Sequence, residues 1–209
     1  MDVLIQELKE KLSDPLPGPD AQYKMAHAVR RSYAPPPEDA RLAAVLALLY
    51  PKNEDWHLVL IERVSTNPKD RHRGQISFPG GKHEPEDPSL LYTAIREAEE
   101  EVGVVADVIH PLGALTELYI PVSNFLVHPF VGYLDHRPEF SPQLTEVQSI
   151  LEVPFDYFLD EANIQFTDMT ISKGITLRKV PYYNVADKVL WGATAMMLRE
   201  LIEVVTVKK

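Results

Sequence analysis

The sequence predicts an α/β protein, an α/β/α sandwich around a mixed β-sheet, and three observations carry that expectation. Strand-like apolar segments outnumber helical ones. One strongly periodic helix follows the turn Phe78-Pro79-Gly80-Gly81. A second apolar helical face, Leu198, Leu201, Ile202 and Val205, lies near the C-terminal end. With 209 residues and 45% hydrophobic content the chain can build one domain with a sizeable core, and no internal repeat or low-complexity segment divides it.

The elements follow in order. Val3, Leu4, Leu8 and Leu12 recur at near-helical spacing, so Asp2 to Leu12 reads as a short amphipathic helix that packs on the domain. Pro15-Leu16-Pro17-Gly18-Pro19 stops it, a second helix is expected around Gln22 to Arg31, and Pro35-Pro36-Pro37 marks another irregular connection. Residues 1–41 are thus expected to form a helical extension to a domain spanning 42–209. Leu42 to Tyr50 and His57 to Arg63 flank the polar turn Lys52-Asn53-Glu54-Asp55 and read as a hairpin whose first strand is heavily buried, with Arg63 at a strand end.

Beyond Val104, Val108 to Leu118 and Phe125 to Leu134 read as strands separated by Pro121, Ser123 and Asn124. Tyr119, Phe130 and Tyr133 are strand aromatics assigned to packing rather than to a ligand. Leu144 to Leu159 reads as a loop carrying Glu146, followed by a short helix or turn. Ile164 to Phe166 starts a further extended region, and Lys173-Gly174 between Thr170–Ser172 and Ile175–Val180 is a hairpin turn.

Composition excludes several functions. A net charge of −10 disfavours a nucleic-acid partner, although metal-shielded phosphates stay compatible with it. The absence of cysteine rules out disulfides, thiolate metal sites and cysteine nucleophiles. The N-terminal residues lack the apolar stretch of a signal peptide and Leu42 to Tyr50 is too short to span a bilayer, so a cytoplasmic protein without membrane attachment is the expectation. Gly80-Gly81-Lys82 lacks the spacing of a P-loop, no His-Glu-x-x-His occurs, and there is no Gly-x-Ser-x-Gly elbow.

The chemistry concentrates between Phe78 and Val104. Asp87 is read as the N-cap, Pro88 as the first helical residue and Gly103 as the left-handed residue that ends the helix. Leu91, Ile95, Ala98 and Val102 make one apolar stripe, whereas Glu97, Glu100 and Glu101 project together from another side, within an arc of about 100°. Like charges so placed each cost roughly 0.2–0.5 kcal/mol on an exposed helix. Two readings fit: a solvated acidic face, or a site where a divalent cation removes the repulsion, hard carboxylate oxygens on a rigid helix suiting Mg²⁺. Arg96 lies one turn from Glu100 and can orient it. Arg63, Lys69, Arg71, His72 and Arg73 form the concentrated basic stretch, either balancing an acidic protein or binding phosphate through guanidinium forks.

Arg96-Glu97-Ala98-Glu99-Glu100-Glu101-Val102-Gly103-Val104 resembles the second half of the Nudix box, with Gly81 as its leading glycine. Asp87 falls six residues after Gly81 and Arg96 nine further, one more than the usual box. The lead-in Gly80, Gly81, Lys82, Glu84, Pro85, Asp87 is similar to the coenzyme A pyrophosphatase branch, as are Leu60-Ile61-Glu62-Arg63, Gly74 to Gly81 and Trp191-Gly192-Ala193-Thr194-Ala195.

The resemblance implies the Nudix fold and a Mg²⁺-dependent hydrolase, Mn²⁺ being the alternative metal, that cleaves the pyrophosphate bond of coenzyme A or its derivatives to 3′-phospho-AMP and 4′-phosphopantetheine. It further implies Glu97, Glu100 and Glu101 as metal ligands, Glu100, Arg96 and Glu146 in catalysis, and Arg63, Arg71, Arg73, Gly80 and Gly81 at the substrate. Glu146 is expected either as a fourth ligand or as the base. Competing readings are a Nudix enzyme acting on another nucleoside diphosphate such as ADP-ribose, and a non-catalytic nucleotide-sensing Nudix domain, which intact Arg96, Glu97, Glu100 and Glu101 disfavour.

Overall fold

In the computed structural model, residues 2–30, 35–64, 74–171 and 174–206 are described. Lys69, Arg71, His72, Arg73 and the turn residue Lys173 lie outside them. In chain order the elements are α1 (Val3–Lys11), α2 (Gly18–Gln22), β1 (Arg41–Lys52), β2 (Asp55–Arg63), β3 (Ile76–Ser77), β4 (Gly80–Lys82), α3 (Leu90–Val102), β5 (His110–Ala114), β6 (Leu118–Ile120) and β7 (Phe125–Tyr133). They continue with β8 (Val147–Pro154), α4 (Asp156–Leu159), β9 (Ile164–Ile171), β10 (Ile175–Val185), β11 (Lys188–Leu190) and α5 (Gly192–Thr206).

β1 is the axis. It runs parallel to β7 along one edge; along the other it pairs antiparallel with β4 in its first half and with β2 in its second. β2 leaves β1 to pair with β8 and β3, so the mixed sheet opens where β4 is inserted. Strand alternation sends Ala43, Ala47 and Leu49 into one core with Ile5 and Leu8 of α1 and Leu198, Leu201 and Ile202 of α5. Ala44, Leu46, Leu48 and Tyr50 point the opposite way, into a core with Ala94, Ala98 and Val102 of α3. Two helical layers therefore cover the two faces of one mixed sheet, the expected sandwich. A separate antiparallel sheet, β11-β10-β9, is tied to β2 by Lys188 and Glu62 at 2.9 Å.

Local chemistry explains the boundaries. The β1–β2 hairpin turns on Asn53 and Glu54 with φ of 52° and 71°, the left-handed pair of a two-residue type I′ turn. Gly103 ends α3 at φ 75°, its N–H donating to the Glu99 carbonyl.

Several expectations need correction. Asp87 does not cap α3: Ser89 does, its hydroxyl accepting from Tyr92 N–H, and Asp87 turns to Arg96 instead. In α3 the buried stripe is Ala94, Ala98 and Val102 together with Glu101, while Leu91 and Ile95 are only half-buried. In α1 the buried residues are Ile5 and Leu8, and Val3 stands 73% exposed. The helix expected around Gln22 to Arg31 is replaced by α2, with Pro19 in its first turn, and by 3₁₀ turns at Tyr23–Met25 and Ala28–Arg30. The span expected as loop and helix contains strand β8 before the short α4, because Val147, Leu151 and Val153 are buried where that strand pairs with β2.

Candidate active site

The site forms where β4, the end of β2 and the C-terminal half of α3 meet. Gly80 and Gly81 pair with Val45 and Ala44 of β1. Gly80 has φ 154°, and a Cβ there would collide with the Ala44 carbonyl and Val45. A Cβ on Gly81 would collide with the carboxylate of Glu97, so the missing side chain is what admits Glu97 against the strand.

Glu101 is 1% exposed. Its Oε2 accepts from Gly80 N–H at 2.8 Å and its Oε1 accepts from Arg63 Nη1 at 3.0 Å. Burial nonetheless pushes this carboxyl up to about 7, against the pull of Arg63 and Gly80 N–H and with help from the charges of Glu97 and Glu146. Such a displacement corresponds to an uncompensated cost of about 3 kcal/mol for the ionised form. Glu97, partly buried, is likewise pushed up, first by burial and then by Glu100 and Glu146, although Arg96 Nη1 stands 3.0 Å from its Oε1.

Arg96 is fixed from behind. Asp87 receives its Nε and Nη2 at 2.9 and 3.0 Å, a bidentate fork that holds the aspartate well below the usual carboxylate range. Nη1 faces forward, 3.2 Å from Glu100, which is 57% exposed. Thr93, fully buried, donates its one hydroxyl proton to Asp87 at 2.8 Å, so at the same hydroxyl His83 Nδ1, also 2.8 Å away, must be the donor. Neither Thr93 nor His83 carries a signal in the sequence pattern; the Asp87–Arg96 pairing was hidden because aspartate before a helix reads first as a cap.

Glu146 is brought to the same place by its loop. Gln143 N–H donates to the Glu101 carbonyl at the end of α3, Glu146 N–H returns to the Gln143 carbonyl, and the Glu146 carbonyl accepts from Val64 N–H beyond β2. The exposed carboxylate is near enough for its charge to act on Glu97 and Glu101. Arg63, expected to face substrate, is turned onto Glu101 and the Gly80 carbonyl. The aromatic residues Phe130 and Tyr133 pack against the cores, and Tyr119 donates its hydroxyl to Asn124.

Among the described residues no three carboxylate or imidazole groups converge as a closed ligand set, and guanidinium groups lie against the oxygens of Glu97, Glu100 and Glu101. The donors still suit a hard dication. All are carboxylate oxygens, and burial leaves two of the three short of positive charge.

A sheet sandwiched between helices, with carboxylates crowded on one helix behind a glycine turn, is an arrangement suited to holding a hard dication. The NUDIX domain family matches residues 40–167, and the chain belongs to that family; it is a Nudix pyrophosphohydrolase. Proteins named "Uncharacterized Nudix hydrolase NudL" are similar over much of the chain. The one from Yersinia enterocolitica is 36% identical over 137 residues, covering 66% of this chain and 69% of its own. That from Yersinia pestis (strain Pestoides F) is 37% identical over 138 residues, covering 66% and 67%. Among solved structures, the Nudix hydrolase RenU from M. smegmatis aligns with a TM-score of 0.55 at 17% identity, over 79% of this chain and 85% of that one, a likeness of fold. Nudix hydrolases generally use divalent metal ions. Among the described residues no helix is long and apolar enough to cross a membrane.

Proposed function

We propose that this protein hydrolyses the pyrophosphate linkage of coenzyme A or a derivative to 3′-phospho-AMP and 4′-phosphopantetheine, with Glu97, Glu100 and Glu101 holding Mg²⁺ or, in its place, Mn²⁺. The observation that carries the reaction is Glu101, a buried carboxylate pushed up to about 7 that still lacks enough positive charge. The substrate assignment rests on Leu60–Arg63 and Gly74–Gly81, which are similar to the coenzyme A branch. A cytoplasmic setting, and a helical extension over 1–41 preceding the catalytic domain 42–209, belong to the same reading.

When bound, the divalent cation neutralises phosphoryl oxygens and lowers the pKa of a coordinated water. The chain supplies the rest. Asp87 locks Arg96, Arg96 keeps Glu97 and Glu100 in register, and Gly81 leaves the room in which Glu97 sits. Glu146, exposed on a loop hooked to the end of α3, accepts the proton of the attacking water, and no other acid in the reading is both exposed and outside the helix. Arg71, Arg73 and, once freed, Arg63 bind substrate phosphates beside the backbone of Gly80 and Gly81.

The test is turnover of coenzyme A, dephospho-coenzyme A, ADP-ribose and a dinucleoside polyphosphate by the purified chain with Mg²⁺. Coenzyme A is expected to be cleaved fastest, and charge removal at Arg71 and Arg73 should weaken it more than the dephospho form. ADP-ribose turning over faster would move the assignment to another nucleoside diphosphate, and no turnover of any substrate with either metal would leave a nucleotide-sensing domain.

A further inference from the structure

Among the described residues two arginines touch the acidic cluster, and they are held very differently. Arg96 is anchored behind the cluster by the bidentate Asp87 and by the Lys82 carbonyl, so it cannot leave without breaking that fork. Arg63 makes its ion pair with Glu101 itself. Its backbone is fixed, N–H to the Gln75 carbonyl at 3.0 Å and carbonyl to Gly74 N–H at 2.7 Å, whereas its side chain is 26% exposed. Displacing Arg63 from Glu101 therefore means moving the side chain while the backbone stays in place.

The place it fills matters. One guanidinium nitrogen, Nη1, lies 3.0 Å from Glu101 Oε1 and 3.4 Å from the carbonyl oxygen of Gly80. A carboxylate oxygen beside a backbone carbonyl is the kind of hard donor pair that Mg²⁺ and Mn²⁺ prefer. The carboxylate cannot rotate to offer a different oxygen, because Oε2 is already taken by Gly80 N–H at 2.8 Å. Any cation that binds Glu101 from the side of the cluster must therefore reach Oε1, where Arg63 sits.

We propose that Arg63 is an internal stand-in for the divalent cation: its guanidinium occupies the oxygens of Glu101 and Gly80 when no cation is bound and yields them when one binds, so that Arg63 sets the affinity of the site for metal. The inference rests on the reading of Glu97 and Glu101 as cation ligands and deepens it. It accounts for a side chain that sequence analysis directs at substrate and the fold directs at a carboxylate. In the cation-free protein Arg63 limits the cost of burying Glu101; displaced, it becomes a fully charged fork beside the bound substrate's phosphates. Arg63 is thus a positioning residue for the cation before it is a partner for the substrate.

Equilibrium Mn²⁺ binding, read from the electron paramagnetic resonance of free Mn²⁺, separates this from a structural role. Arg63→Gln is expected to bind Mn²⁺ roughly tenfold more tightly than the parent, since a competing unit charge is removed at contact distance. The same variant should melt at a lower temperature without metal and regain the loss in Mg²⁺. Arg63→Lys, which keeps the charge but has no fork to span both oxygens, should fall between them. Unchanged or weaker Mn²⁺ binding by folded Arg63→Gln overturns the inference, as would a melting temperature that metal does not restore.

If Arg63→Gln does not fold, the guanidinium NMR signals of Arg63 in the parent chain decide: Mg²⁺ should shift them and speed their exchange with water, and no change overturns the inference. A parent chain that binds no Mn²⁺, or Glu97→Gln and Glu101→Gln variants that bind it undiminished, would remove the underlying ligand reading as well. Failure of Arg63 alone leaves that reading standing.

Discussion

Glu101 on α3 and Glu152 on β8 each have an arginine nitrogen about 3 Å away, at 3.0 and 2.9 Å, yet their acidities move in opposite directions. Glu152 is pulled down to about 2 by Arg137, which grips both its oxygens, with Tyr50 and Lys52 adding to the effect. Glu101 is pushed up to about 7 because burial outweighs Arg63 and one backbone N–H. An adjacent arginine therefore does not decide the state of a carboxylate; the count of donors against the water removed does. Glu152 is a finished structural contact, whereas Glu101 is left with unmet demand for positive charge.

The largest test of that contrast is Glu101→Gln. It should lower turnover by about 10² to 10⁴ while raising, or at least preserving, the melting temperature measured without metal, because an unfavourable buried charge is removed. Glu152→Gln should leave turnover near the parent value. A folded Glu101→Gln variant with ordinary activity would erase the distinction.

Glu146→Gln is the next in size. It lies outside the helix, and as the base it should cost roughly 10² in turnover with little change in substrate affinity. Partial rescue by raised Mg²⁺ would make it a ligand instead, and parental activity at low and high Mg²⁺ would exclude both roles. The smallest effect belongs to stability. Because the folded Glu152 carboxyl sits at about 2 against an ordinary 4.5, its stabilisation is complete above about pH 4.5 and disappears as the pH falls towards 2. Glu152→Gln should cost about 1 kcal/mol near neutrality after solvent screening, with the gap to the parent closing across that acid window in chemical denaturation.

Sequence carried α3 and its carboxylates well, because periodicity places Glu97, Glu100 and Glu101 together and Gly103 needs its left-handed turn. It carried the sandwich through β1, whose unbroken apolar run demands cover on both faces. What it could not carry is pairing at a distance. Asp87 and Ser89 are both good caps, and only the reach of Arg96 across the loop decides between them. Strand β8 mixes Gln148, Ser149 and Glu152 with its buried residues, and its identity depends on β2 lying alongside. Arg63 was legible as a strand-end cation, but which anion it meets is set by where β4 inserts beside β2.

The carboxylate of Glu200, fully buried in α5, accepts from Gly18 N–H, Gln22 Nε2 and Thr116 N–H. Gly18 precedes it by 182 residues. Seen as a matter of time on the ribosome, α2 is made well before the acceptor on α5 that it needs. Closure of this contact thus follows the synthesis of α5, and a nascent chain halted before residue 200 would leave Gly18 N–H without its carboxylate partner.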